Sequence, residues 1–213
     1  MKIILFLLPL LIAFSGFAQD SSRMYYPSGK LLGYQVRYDS ANGFERTFFE
    51  SGKLQSEIWV IYGQGKRTIT TTKKYYEDGS PDVLKNDSLL IRYEPDGRLL
   101  QRAAVKNWKL DGLSSMYMDG RVWLDITYKD GIRDGWMTTY DSAGKIDSKT
   151  FYKADKQEGP SRYYKNGRLT KSIEFSEGCP IRVSYFGKDG KPTRILTVKK
   201  EIWLAEGKPI GCN

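Results

Sequence analysis

The sequence predicts an all-β fold: an elongated, twisted antiparallel sheet of about eight stacked β-hairpin repeats with a period of about 23 residues. Three observations carry this expectation. Turn glycines recur at Gly29, Gly52, Gly79, Gly97, Gly120, Gly144, Gly167 and Gly190, with intervals of 23, 27, 18, 23, 24, 23 and 23 residues. Aromatic residues stand just ahead of each turn, and an alternating apolar and polar segment follows most of them.

The heptapeptide from Tyr163 to Leu169 shows the unit most clearly. Asn166-Gly167 has the chemistry of a two-residue type I′ turn, in which both central residues need positive φ. The residues before the other turn glycines, Ser28, Ser51, Asp78, Asp96, Asp119, Ala143 and Asp189, are mostly short and polar, as turns favour. Incoming strands are marked by Tyr25-Tyr26, Phe48-Phe49, Tyr75-Tyr76, Tyr93, Tyr117, Tyr140, Tyr163-Tyr164 and Phe186. Outgoing strands alternate, with Leu54, Ile58 and Val60, or Leu169, Ile173 and Phe175, on one face. The intervening positions, Gln55, Glu57, Arg102, Asp125, Lys149 and Glu174 among them, form a wetter face.

Gly112, Gly135 and Gly159, fifteen residues after their turns, are read as a second bend before the next hairpin. One hairpin buries too little apolar area to be stable alone, so neighbours must stack, giving about sixteen strands. The irregular region is residues 60 to 92. There Arg67 to Thr72 reads as an extended strand, and Asn86-Asp87-Ser88 interrupts the third copy. Ile195-Leu196-Thr197-Val198, followed by Glu201-Ile202-Trp203-Leu204, is the expected C-terminal cap.

At the N-terminus, Lys2 precedes an apolar run from Ile3 to Phe14, and Gly16 and Ala18 are small residues where a signal peptidase reads. The expected organisation is a cleaved signal peptide at 1–18, the repeat array at 19–198, and a capping strand and tail at 199–213. Export follows, to the periplasm or outside the cell, and the mature chain is expected to have no transmembrane helix.

The formal net charge of +9 suits an anionic glycan or lipid surface, or an acidic protein; nucleic acid is not an expected partner of an exported chain. A basic pI with well-mixed charge and no specific anionic partner is the other reading, since net charge bears on solubility before it bears on function. The absence of histidine removes His-based triads and His metal sites. Carboxylate, Lys, Tyr or Cys chemistry remains, and no cofactor is expected.

The pattern Tyr-Tyr-x-Asn/Asp-Gly-Lys/Arg-Leu, with its alternating strand and second glycine, resembles the bacterial variant of the MORN repeat, also found in YwqK-type antitoxin components. The resemblance spans residues 24 to 198. It implies a sheet of hairpins acting as a binding or scaffolding surface, with no family catalytic site. Two copies depart from it: Asp119-Gly120 has one residue fewer after its tyrosine, and Gly79 is followed by Ser80-Pro81.

Seven turn glycines are followed by a cation, Lys30, Lys53, Arg98, Arg121, Lys145, Arg168 or Lys191, which in-register stacking would align as an anion-binding stripe. Charged turns that keep edges soluble explain the same residues. The paired aromatics could stack on sugars or a partner, or pack across strands. Cys179 and Cys212 are the only cysteines, and export permits a disulfide between them; two free thiols are the other reading. Acidic pairs such as Asp130 with Asp134 and Glu174 with Glu177 read as turn and solvent-facing residues. The function expected is an exported, non-enzymatic repeat protein that presents its sheet to an unknown protein partner, antitoxin-like by resemblance. The alternative is an envelope- or surface-associated binder of anionic glycan or lipid.

Overall fold

The computed structural model describes residues 19–197. The expected signal peptide at 1–18, Val198 and Glu201 to Leu204 of the expected cap, the tail at 199–213 and Cys212 lie outside the described residues. Among the described residues, sixteen strands form one sheet. The first four hairpins comprise β1 Gln19–Tyr25, β2 Leu31–Arg37, β3 Asn42–Phe48, β4 Leu54–Gly63, β5 Lys66–Tyr75, β6 Pro81–Asn86, β7 Leu89–Tyr93 and β8 Leu99–Lys106. The last four comprise β9 Lys109–Met118, β10 Arg121–Lys129, β11 Ile132–Tyr140, β12 Ile146–Lys153, β13 Lys156–Lys165, β14 Arg168–Ser176, β15 Cys179–Phe186 and β16 Pro192–Thr197. Each strand pairs only with its sequence neighbours, all antiparallel, so the sheet runs from β1 to β16 and stays open. All eight turn glycines therefore lie along one long edge, and the returns between hairpins lie along the other.

The turns are of two kinds. Asp119-Gly120 and Asn166-Gly167 have positive φ at both residues, the type I′ geometry. The other six turn glycines end three-residue loops: Gly29 N donates to Tyr26 O and Tyr26 N donates to Lys30 O, and the pattern repeats at Gly52, Gly79, Gly97, Gly144 and Gly190. In these loops only the glycine has positive φ, which is a type I turn closed by a glycine bulge. The missing residue of the Asp119 copy is thus the difference between a three-residue and a two-residue loop.

Gly112, Gly135 and Gly159 do not make the second bend. They lie inside β9, β11 and β13, and the bends fall four residues earlier, at Asn107-Trp108, Asp130-Gly131 and Ala154-Asp155. The cause is visible in the register. Ile126 opposes Met137 and Tyr128 opposes Arg133, so three residues on β11 face the single Thr127; Gly112 and Gly159 sit in equivalent bulges on β9 and β13. Asn86-Asp87-Ser88 is likewise not an interruption but the return between β6 and β7, where Asn86 Oδ1 accepts from Ser88 N and Leu89 N. The ten-residue β4 and β5 followed by the short β6 and β7 account for the compensating intervals of 27 and 18. Arg67 to Thr72 lies within β5, as expected.

Where a type I′ turn lacks glycine at its second position, a cation reached from an earlier strand holds that residue. Trp108 and Asp155 have φ of 64° and 65°. Lys85 Nζ donates to Trp108 O at 2.9 Å and lies over the indole, while Arg133 Nη2 donates to Asp155 O at 3.1 Å and Nε binds its carboxylate at 2.9 Å. These contacts offset the cost of a left-handed backbone at residues with a Cβ.

Cross-strand register places nine of the ten buried side chains on one face of the sheet, here called the inner face. They are Ser56, Val60, Ala103, Val105, Ser114, Leu124, Thr150, Tyr152 and Ser161; Thr138 lies on the other side. Much of this core is small and polar. Thr47 with Ser56 and Thr139 with Ser148 form matching hydroxyl pairs at 2.7 Å. Ser161 is fully covered and its Oγ has no hydrogen-bond partner. Ser161→Ala is therefore expected to stabilise the protein by about 1 kcal/mol, because it removes an unsatisfied buried hydroxyl without opening a large cavity. Chemical denaturation checks this, and a loss of stability would show that the hydroxyl is bonded.

Candidate binding face

The outer face is not simply the wetter one. On β2, β3 and β4 the register aligns Val36 with Phe44 and Phe44 with Trp59, and beside them Tyr34 with Arg46 and Arg46 with Glu57. Alternation along each strand puts these side chains on the same side. Tyr34 meets Phe44 edge-on at 5.8 Å and stacks on Phe48 at 5.9 Å, while Phe44 touches Tyr38 at 5.8 Å and Trp59 at 5.7 Å. Five aromatic rings thus form one continuous layer. Tyr38, Trp59 and Ile61 remain 41%, 39% and 46% exposed, so the layer is open to solvent at its rim.

An ion pair adjoins it on the same face, with Arg46 Cζ 5.1 Å from the centre of the Phe44 ring. Arg46 Nη2 and Nε bind Glu57 Oε1 at 2.7 and 2.8 Å, Arg46 Nη1 donates to Tyr34 Oη at 3.1 Å, and the Glu57 side chain is only 12% exposed. The Tyr34 hydroxyl and Glu57 hold the guanidinium protonated. Tyr75 donates to Glu57 Oε2 at 3.4 Å from the next hairpin; burial, then the Glu57 charge, raises its phenol above the ordinary value. The same device recurs further along, where Asp125 accepts from Ser115 at 2.6 Å and from Tyr140 at 2.9 Å. A smaller aromatic pair follows it, Trp136 against Phe151 at 5.3 Å, with Lys149 Nζ 4.6 Å from the indole centre.

The sequence-selected cations Lys30, Lys53, Arg98, Arg121, Lys145, Arg168 and Lys191 are all exposed on the turn edge. Their surroundings are mixed in charge. Arg98 binds Asp96 at 2.7 Å and Asp119 of the next turn at 2.9 Å, and Arg121 donates to Ser142 O of the turn after that. Asp78, Asp96, Asp141 and Asp189 share this edge, each accepting backbone N–H groups within its turn. Arg98 and Arg121 thus join successive hairpins.

The paired aromatics Phe48-Phe49 and Tyr163-Tyr164 are half-buried rather than displayed. Tyr26 and Tyr76 brace neighbouring hairpins, donating to Phe48 O and Tyr93 O at 2.9 Å each. Asp130 and Glu177 are first residues of type I′ turns, and no group of three or more acidic or cysteine side chains that could hold a metal occurs among the described residues. Cys179 opens β15, and no free cysteine is found among the described residues. No described helix is long and apolar enough to cross a membrane.

Tyr34, Phe44, Trp59 and Arg46 do not stand out in the sequence because none belongs to the turn motif. Trp59 and Phe44 occupy positions that a simple two-face alternation assigns to solvent. Large aromatics on that parity are the available signal. No family model matches the chain, and no curated protein matches it.

Proposed function

We propose that this chain is an exported, non-enzymatic repeat protein, of the kind the MORN-variant resemblance implies, that binds a protein partner through the outer face of β2–β4. The reading is supported chiefly by one observation: a continuous layer of five aromatic rings with an open rim of Tyr38, Trp59 and Ile61. Protein interfaces concentrate binding energy in Trp, Tyr and Arg set in well-packed surroundings, and this face presents such residues on rigid strands. An antitoxin-like role is one form such binding takes.

The Tyr38→Ala, Trp59→Ala double variant is expected to lose at least about tenfold in partner affinity, since two interface anchors commonly contribute more than about 1 kcal/mol each. Affinity capture from the producing cells, quantified against wild type, measures it. An Arg98, Arg121, Arg168→Ala variant on the turn edge is expected to retain the partner. If that variant instead loses a salt-sensitive association while the aromatic variant keeps it, the anionic glycan or lipid reading replaces this one.

A further inference from the structure

The last strands carry a second feature. Cys179, the first residue of β15, is disulfide-bonded, and the chain has one other cysteine, Cys212. Between β16 and Cys212 the sequence reads like a ninth copy of the repeat: Trp203 stands four residues before Gly207-Lys208-Pro209, as Phe186 stands four residues before Gly190-Lys191-Pro192. Added in the plane of the sheet, that copy could not reach Cys179. Neighbouring strands lie about 4.8 Å apart, so the first strand beyond β16 would run about 10 Å from β15 and the second about 14 Å, while bonded cysteines have Cα atoms about 4.4–6.8 Å apart. The bond therefore requires the segment to leave the plane and cross a face.

Register selects the face. Ser161 on the inner face opposes Ile173, which opposes Val183, so Ser172, Glu174 and Ser176 lie on the outer face with their partners Ser184, Arg182 and Cys179. Ile195 opposes Ser184 and shares that face, where it is 57% exposed. Ser172 and Ser184 are small, so a step lies beside Ile195 that a large apolar side chain fits. Ile202-Trp203-Leu204 is the longest run of bulky apolar residues in the segment. Its length also suffices: the fifteen residues from Val198 to Cys212 reach roughly 50 Å, and Thr197 pairs with Arg182, only three residues along β15 from Cys179.

We infer that residues 198–213 fold back over the outer face of β14–β16, with Cys212 bonded to Cys179 and Ile202-Trp203-Leu204 packed on Ser172, Ser184 and Ile195. Forming the bond takes two electrons and two protons from the thiols, accepted by a protein disulfide through exchange. The segment then covers apolar surface at the end of the array, where a repeat lacks its next neighbour. This closure involves no residue of β2–β4 and stands or falls independently of that face. Tryptic mapping of the oxidised full chain without reduction is expected to yield a peptide pair joining Cys179 to Cys212. In Trp203→benzoylphenylalanine, irradiation should attach position 203 to Ser172, Ser184 or Ile195 of the same molecule. Trypsin should cut after Lys200 at least about tenfold more slowly in the oxidised wild type than in Cys212→Ser, because cleavage follows the opening of the segment. Free thiols, a disulfide between two molecules, adducts confined to other residues such as the inner-face Val183 and Leu196, or equal cleavage rates would overturn the inference.

Discussion

Gly135→Val is expected to destabilise the protein by about 4 kcal/mol, combining backbone strain of ~1–3 kcal/mol with a steric cost of similar size. Gly135 has φ of +133°, a region closed to β-branched residues. A Cβ there would lie 2.8 Å from Thr127 Cβ and 3.0 Å from Thr127 Cγ2, because Gly135 sits in the bulge directly above that residue. Gly159 provides the control. It occupies the equivalent bulge with φ of +66°, and a Cβ there would meet nothing within 4 Å, so Gly159→Asn is expected to cost about 1 kcal/mol or less. Stability in such an array is largely a sum over neighbouring strands. Hydrogen exchange in Gly135→Val should therefore accelerate first across β10–β12, with β2–β4 least affected. Equal costs at the two glycines would contradict this account of the bulges.

The second large effect is expected at Leu124, the buried side chain of β10, flanked across the strands by Met116 and Thr139. Leu124→Asp removes a buried leucine, worth ~2–5 kcal/mol, and places a carboxylate in a site largely closed to solvent. A total of at least about 4 kcal/mol is expected at neutral pH. Burial raises the pKa of the introduced acid in the folded state, so the folded form binds the proton more tightly than the unfolded form. The deficit relative to wild type should accordingly shrink as pH falls from about 7 to about 5 and grow as it rises. Denaturation of both proteins across that range measures it. A deficit below about 1 kcal/mol, or one that does not change with pH, would place Leu124 in a wetter setting.

The hairpin architecture is legible in the sequence because its signals are local: a glycine turn, an aromatic before it and alternation after it. The sixteen strands and their order follow from repeating that unit. The second glycines mislead for a physical reason. Gly112, Gly135 and Gly159 are required by bulges, and a bulge glycine and a bend glycine look alike until register is known. The true bends at Asn107-Trp108 and Ala154-Asp155 carry no glycine, and cations from earlier strands, Lys85 and Arg133, hold them instead. The candidate site is harder to see. The contact of Phe44 with Trp59 and the pairing of Arg46 with Glu57 depend on which residues face each other across β3 and β4.

The most direct test of the binding-face proposal is site-specific photo-crosslinking in cells producing the protein. Benzoylphenylalanine placed by Ile61→benzoylphenylalanine lies at the open rim of the aromatic layer, and by Ile146→benzoylphenylalanine on the turn edge, where the side chain is similarly exposed. Irradiation is expected to yield one discrete protein adduct from position 61 and none from position 146. An adduct from position 146 alone, or equal adducts from both, would contradict the assignment of β2–β4 as the docking face.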